Sequence, residues 1–224
     1  MTTPAADPSP DAPTTVPKAV LFDFGGVITT SPFEAFARYE ADHGLPVGLI
    51  RSINATNPDT NAWAKLERSE VDAAGFGALF TAEAAERGHT VDGGAILGLI
   101  SGAVRPEMVE ALRRISGAGF TVACLTNNFR SHADGGDSRP ETAQVMDMFD
   151  AVIESSVIGI RKPEPEFYRR ALDIVGVDAT EAVFLDDLGI NLKPAKAMGM
   201  TTIKVVDPAE ARAELGRVLG LDLG

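Results

Sequence analysis

Five short apolar runs recur along the chain: AVLFDF (19–24), FTVACLTN (120–127), AVIESS (151–156), AVFLDD (182–187) and TTIKVV (201–206). Their apolar residues are largely continuous rather than alternating. That is the pattern of strands covered on both faces. Stretches with helical periodicity separate them. PEMVEALRRIS (106–116) opens on a proline at the first helical position, and Gly117 and Gly119 close it. PEFYRRALDIVG (165–176) has the same plan, NLKPAKAMG (191–199) is shorter, and RAELGRVLG (212–220) reads as a closing helix. The alternation predicts an α/β fold with a doubly wound parallel sheet.

One interval breaks the alternation. About 75 residues, 30–104, follow the first strand without a strand pattern. PFEAFARYEADHG, TNAWAKLERSE, DAAGFGALFTAEAAERG and VDGGAILGLISG all read as helical. The interval is too long for an ordinary βα connection. It predicts an inserted helical cap over the carboxyl ends of the strands, where open α/β sheets bind ligands. The core is then 18–29 together with 105–224. Residues 1–17 hold five prolines and no apolar block, and are expected to form a disordered tail. They lack the basic start and apolar centre of a secretory signal. RSHADGGDSRP (130–140) reads as an exposed loop.

Composition narrows the function. The 224 residues carry a net charge of −12, and no Lys/Arg cluster offers nucleic acid a basic face. No apolar run approaches a membrane span. Cys124 is the single cysteine, so no intrachain disulfide forms, which suits a reducing cytoplasm. Inside the second strand it reads as a small buried hydrophobe.

The strand ends hold the candidate chemistry. Strand one ends in Asp23, strand two in Thr126 and Asn127, and strand four in Asp186 and Asp187; Lys162 follows strand three. Taken singly, each has an ordinary role as a helix cap, a turn residue or a solvated lysine. A parallel sheet, however, brings all these ends to one edge. Three carboxylates there would repel one another, and a hard cation such as Mg²⁺ would relieve the repulsion. Lys162 and the Thr126 hydroxyl suit the oxygens of a bound phosphate. Asp23 could then attack phosphorus. This pattern predicts a small phosphorylated molecule as substrate.

Four ordered stretches, FDFGGV, LTNN, RKPEPEFY and FLDDLGINLKPAKAMGM, resemble the motifs of the haloacid dehalogenase-like (HAD) hydrolases over about residues 18–206. They look most like the phosphatase domain of soluble epoxide hydrolases and its bacterial relatives. The resemblance implies Asp23 as nucleophile and phosphate contacts from Thr126, Asn127 and Lys162. It implies Mg²⁺ on Asp23, the Gly25 carbonyl and Asp187, with Asp186 in support. Asn191 resembles a helper at the start of the following helix, counted among the substrate-binding residues. A cap between the first two motifs matches the family's first cap type.

Gly25 departs from the family pattern, which usually places a second Asp there to protonate the leaving oxygen and then activate water. Three consequences stay open: substrates whose leaving group needs no proton, a proton donor elsewhere, or weak turnover. Two rivals to the phosphatase reading also stand. A metal-independent dehalogenase-type hydrolase would not keep the acid pair at strand four. A phosphate-binding pseudo-enzyme is favoured by Gly25 but not by Asp23, Lys162 and Asp187. Among the other residues, Trp63 reads as either pocket lining or cap core, and His43, His89 and His132 as exposed.

Overall fold

The structure, a computed structural model, describes residues 16–128 and 140–224. The expected tail and the expected loop at 130–140 fall almost wholly outside them. Five strands, β1 (Ala19–Phe22), β2 (Thr121–Thr126), β3 (Ala151–Glu154), β4 (Ala182–Asp186) and β5 (Thr201–Lys204), form one sheet in the order β3-β2-β1-β4-β5. Every neighbouring pair is parallel, as the apolar runs predict.

Alternate residues of each strand face opposite layers. Val20, Phe22, Val122, Cys124, Val183 and Leu185 pack with helices α6 (Pro106–Gly117) and α11 (Pro208–Leu219). Ala19, Leu21, Ala123, Leu125 and Phe184 pack with α9 (Pro165–Val175) and α10 (Gly189–Ala197). β1 lies at the centre of the sheet and its four residues are all fully buried. Each buried Val, Leu or Phe contributes ~1.5–3 kcal/mol. α11 starts four residues before the expected helix, because the Asp207 carboxylate accepts the Ala209 and Glu210 amides at 2.8 and 3.0 Å and caps it there.

The edge strands β3 and β5 are only partly buried. β3 has Val152 exposed, and it stops at Glu154, two residues short of the expected end. Ser155 begins the short helix α8 (Ser155–Ile158). Asn128 holds that turn: its amide donates to Ser155 Oγ at 3.1 Å, and its Oδ1 accepts Ser156 Oγ at 2.8 Å. Helix α7 (Pro140–Met146) is an addition that the pattern did not predict.

Residues 30–104 contain five helices: α1 (Phe33–Asp42), α2 (Leu49–Asn54), α3 (Ala62–Glu67), α4 (Ala73–Ala85) and α5 (Gly93–Gly98). They enclose a core of their own, built on Phe36, Ile50, Leu66, Phe76, Phe80 and Ile96. Trp63 belongs to it, with its ring 4.6 Å from that of Phe76. The chain enters and leaves this insertion side by side. Thr29 bridges Val104 in antiparallel fashion, and the Thr30 and Arg105 amides donate to the Ala103 and Ile28 carbonyls at 2.8 and 2.9 Å. Among the described residues, no helix is long and apolar enough to cross a membrane.

Candidate active site

The site begins where β1 runs out. The Asp23 amide still pairs with the Leu185 carbonyl of β4 at 2.8 Å, so the residue is held at the sheet edge. The chain then makes a single wide turn, residues 24–28, closed by the Thr29 amide on the Phe24 carbonyl at 3.0 Å. Asp23 Oδ1 accepts the Phe24 amide at 2.7 Å. Gly26 makes the turn possible. Its φ is +80°, and a Cβ there would stand 2.3 Å from Asp187 Oδ2, so the turn lies directly against that carboxylate. Gly25 is different. Its φ of −70° and ψ of 127° suit any L residue, and a Cβ would meet no heavy atom within 4 Å.

Lys162 lies at the centre. It is 1% exposed, and its Nζ sits 2.8 Å from both Asp23 Oδ1 and Asp186 Oδ2. Asp186, fully buried at the end of β4, also accepts the Leu188 amide on Oδ1 at 2.8 Å and the Asn191 carboxamide at 3.1 Å on each oxygen. Asp186 therefore has few lone pairs to spare. On Asp23, by contrast, Oδ1 takes both Lys162 and the Phe24 amide, and among the described residues no hydrogen bond falls on Oδ2. Asp187 Oδ2 accepts a long contact of 3.4 Å from the Ser31 hydroxyl. Oxygens of Asp23, Asp186 and Asp187 all lie within 4.8 Å of one another.

Three carboxylates against one ammonium leave two negative charges, and the titration of the groups follows. Burial raises the Asp23 carboxyl well above its ordinary range; Lys162 opposes this and Asp186 adds to it. Asp187 is pushed up to about 6 by burial and by the charge of Asp186. Burial alone would lower Lys162, but Asp186 and Asp23 outweigh it and hold the ammonium above the usual lysine range. The donor set is all oxygen and carries the charge that one divalent cation would balance, which fits a hard ion such as Mg²⁺.

The structure brings Asp23, Lys162, Asp186 and Asp187 together. Thr126 ends β2, 7% exposed, at the same edge of the sheet. The side chains of two expected substrate contacts are hydrogen-bonded within the protein. The Asn127 carboxamide clamps the Lys162 backbone: Nδ2 donates to the Lys162 carbonyl at 2.9 Å, and Oδ1 accepts the Lys162 amide at 2.8 Å. Its other amide hydrogen goes to Glu67 Oε2 at 3.0 Å. Asn191, 4% exposed, is spent on Asp186. Both orient the residues that touch the centre.

Sequence reasoning missed Ser31, Arg161 and the part played by Glu67. Arg161 stands beside Lys162 in RKPEPEFY, and its Nε ion-pairs with Glu67 Oε2. No periodicity marks Glu67, whose partners are 60 and 94 residues away. Cys124 is buried, and burial pushes its thiol up, away from reactivity. His43 is exposed and stacked on Tyr39, whereas His89 is half-buried rather than exposed. His132 lies outside the described residues.

Bifunctional epoxide hydrolase 2 from Rattus norvegicus is 43% identical over 121 residues, 52% of this chain and 21% of that protein. The chain spans only about a fifth of the length of that protein and of a mouse relative that it also matches. Sesquiterpene phosphatase astK from Aspergillus oryzae is 27% identical over 205 residues, 91% of this chain and 97% of that one. A solved HAD family enzyme from Bacteroides thetaiotaomicron, in complex with magnesium and inorganic phosphate, shares the fold. It is 20% identical with a TM-score of 0.57, over 84% of this chain and 93% of that one. The profile of haloacid dehalogenase-like hydrolases matches residues 17–199, and the chain belongs to that family.

Proposed function

We propose that this hydrolase is a Mg²⁺-dependent phosphatase that acts on a small phosphorylated molecule through an aspartyl-phosphate at Asp23. The observation that carries the reading is the buried Lys162 ammonium held between Asp23 and Asp186, with Asp187 beside them. A relative named as a sesquiterpene phosphatase and a related fold solved with magnesium and phosphate support it.

Asp23, Asp187 and the Gly25 carbonyl would hold the cation, and Asp186 would support them while fixing Lys162. When bound, Mg²⁺ supplies charge neutralisation at the phosphoryl oxygens and favours the ionised carboxylates. Lys162 and the Thr126 hydroxyl orient the phosphoryl group. Asp23 Oδ2 forms a bond to phosphorus as the bond to the leaving oxygen breaks. Water then attacks phosphorus, the Asp23 carboxylate departs, and inorganic phosphate is released with a proton to solvent. The helical insertion, residues 30–104, acts as the cap that excludes bulk water during the first step.

Gly25 offers no proton to the leaving oxygen. The reading therefore favours aryl, acyl or anomeric phosphates, whose leaving groups depart without one. Phosphate release from p-nitrophenyl phosphate, with Mg²⁺ and with EDTA, tests it on wild type and Asp23→Asn. Turnover should need Mg²⁺ and fall to background in Asp23→Asn. Wild-type activity in that variant refutes the nucleophile. Halide release from a haloacid in EDTA would instead establish dehalogenation.

A further inference from the structure

We propose that Glu67 is a positioning residue that ties docking of the helical insertion to the setting of Lys162. The inference rests on the phosphatase reading of Lys162. Among the described residues, the insertion reaches the rest of the protein through the long Ser31–Asp187 contact and along a seam with residues 156–164. Arg161 donates to the Pro58 carbonyl at 2.8 Å, Ser69 Oγ donates to the Ser156 carbonyl at 3.0 Å, and Arg68 lies 3.6 Å from Glu164. These contacts hold the surfaces together but end at the seam.

Glu67 reaches further. At the end of α3, its Oε2 accepts from Arg161 Nε and, at 3.0 Å, from Asn127 Nδ2. The Glu67 and Arg161 side chains are only 15% and 14% exposed, so solvent competes little with the pair. Asn127 in turn grips Lys162 on both sides of its backbone, at 2.9 and 2.8 Å. Lys162 places its ammonium 2.8 Å from Asp23. The path from the insertion to the nucleophile therefore has three links: Glu67 to Asn127, Asn127 to the Lys162 backbone, and Lys162 to Asp23.

With the insertion docked, Glu67 takes one hydrogen of the Asn127 amide, which leaves the other for the Lys162 carbonyl. The carboxamide is then fixed in the one orientation that matches the amide and the carbonyl of Lys162 together. When the insertion parts from the core, Glu67 leaves with it and the clamp loses its outer anchor. Arg161, next to Lys162 in the chain, loses its counter-charge in the same movement. Lys162 is thus set for the phosphoryl group only when the insertion is docked.

The test is a double-mutant cycle on Glu67 and Asn127, with p-nitrophenyl phosphate turnover and orthovanadate binding in Mg²⁺ as readouts. Glu67→Ala should lower kcat by about tenfold and change KM by less than about threefold. Glu67→Ala/Asn127→Ala should be no worse than Asn127→Ala alone, because both act through one clamp. Glu67→Gln keeps an acceptor oxygen for Asn127 and should recover most of the loss, which also guards against a folding defect in the alanine variant. Arg68→Ala cuts the same seam away from the clamp and should stay within about twofold of wild type. Additive losses, an unchanged kcat in Glu67→Ala, or an equal loss in Arg68→Ala would overturn the proposal. A wild-type protein that neither turns over the ester nor binds orthovanadate would instead refute the phosphatase reading itself.

Discussion

Gly25 is the position where a single substitution tests the chemistry most directly. The backbone there, φ −70° and ψ 127°, lies in a region open to every L residue, and an added Cβ meets nothing within 4 Å. The glycine is therefore not required by the turn. Gly25→Asp should fold, with ~0.4–1 kcal/mol gained from a less flexible unfolded chain offset by a further acid near the carboxylate cluster. Its gain lies in the barrier. A positioned general acid gives about 10²–10⁴-fold, which is ~3–5 kcal/mol of activation free energy. That gain appears in full only when the leaving oxygen needs a proton. The assay is kcat/KM over phosphate esters of graded leaving-group pKa. Wild type should fall steeply from p-nitrophenyl to alkyl esters. Gly25→Asp should flatten the dependence by raising the poor leaving groups, and Gly25→Ala, which adds bulk without an acid, should leave it steep. A flat wild-type series would show that another residue donates the proton. Steep, parallel series for wild type and Gly25→Asp would show that the position does not reach the leaving oxygen.

Three further outcomes follow from the site. Lys162→Met leaves Asp23 and Asp186 without their ammonium and should cost about 3–5 kcal/mol by chemical denaturation; Lys162→Met/Asp186→Asn should recover part of it, and a Lys162→Met protein as stable as wild type would contradict the ion-pair geometry. Mg²⁺ at a hundred times its Kd should add about 2.7 kcal/mol of stability, and this shift in thermal unfolding should vanish in Asp187→Asn. Gly26→Ala should abolish both Mg²⁺ binding and turnover, since its Cβ would stand 2.3 Å from Asp187 Oδ2; retained activity there would mean that the turn and Asp187 are not pressed together.

The sheet was legible because its central strands, β2, β1 and β4, are buried on both faces. Val20 and Phe22 look one way and Ala19 and Leu21 the other, and both sides need apolar residues. The same rule misread β3. An edge strand needs only partial cover, so Val152 can face solvent while the sequence still looks apolar. Its end at Glu154 was set by Asn128, 26 residues or more away in the chain. A local pattern carries no trace of such a partner. The run of helices over residues 30–104 was readable as a break in alternation. Its packing was not, because a helical period does not say whether Trp63 turns towards Phe76 or towards a ligand.

The site divides along the same physical line. Asp23, Asp186 and Asp187 could be named because topology alone brings the carboxyl ends of parallel strands to one edge, whereas Lys162, beyond α8, was marked by its motif. Such strand-end residues are tied to the backbone of the sheet, and the sheet is what the sequence specifies most strongly. The supports are tied to side chains instead. Asn127 and Asn191 stand at positions that the motifs mark, yet one grips the backbone of Lys162 and the other the carboxylate of Asp186. Each is a short polar group able to face either way, and the choice depends on which buried donors and acceptors would otherwise stay unpaired. Glu67 is further removed still, since it reaches the centre only through intermediaries, the spare hydrogen of Asn127 and Arg161, the neighbour of Lys162, among the described residues. A residue becomes harder to read from sequence with each hydrogen bond that separates it from the sheet.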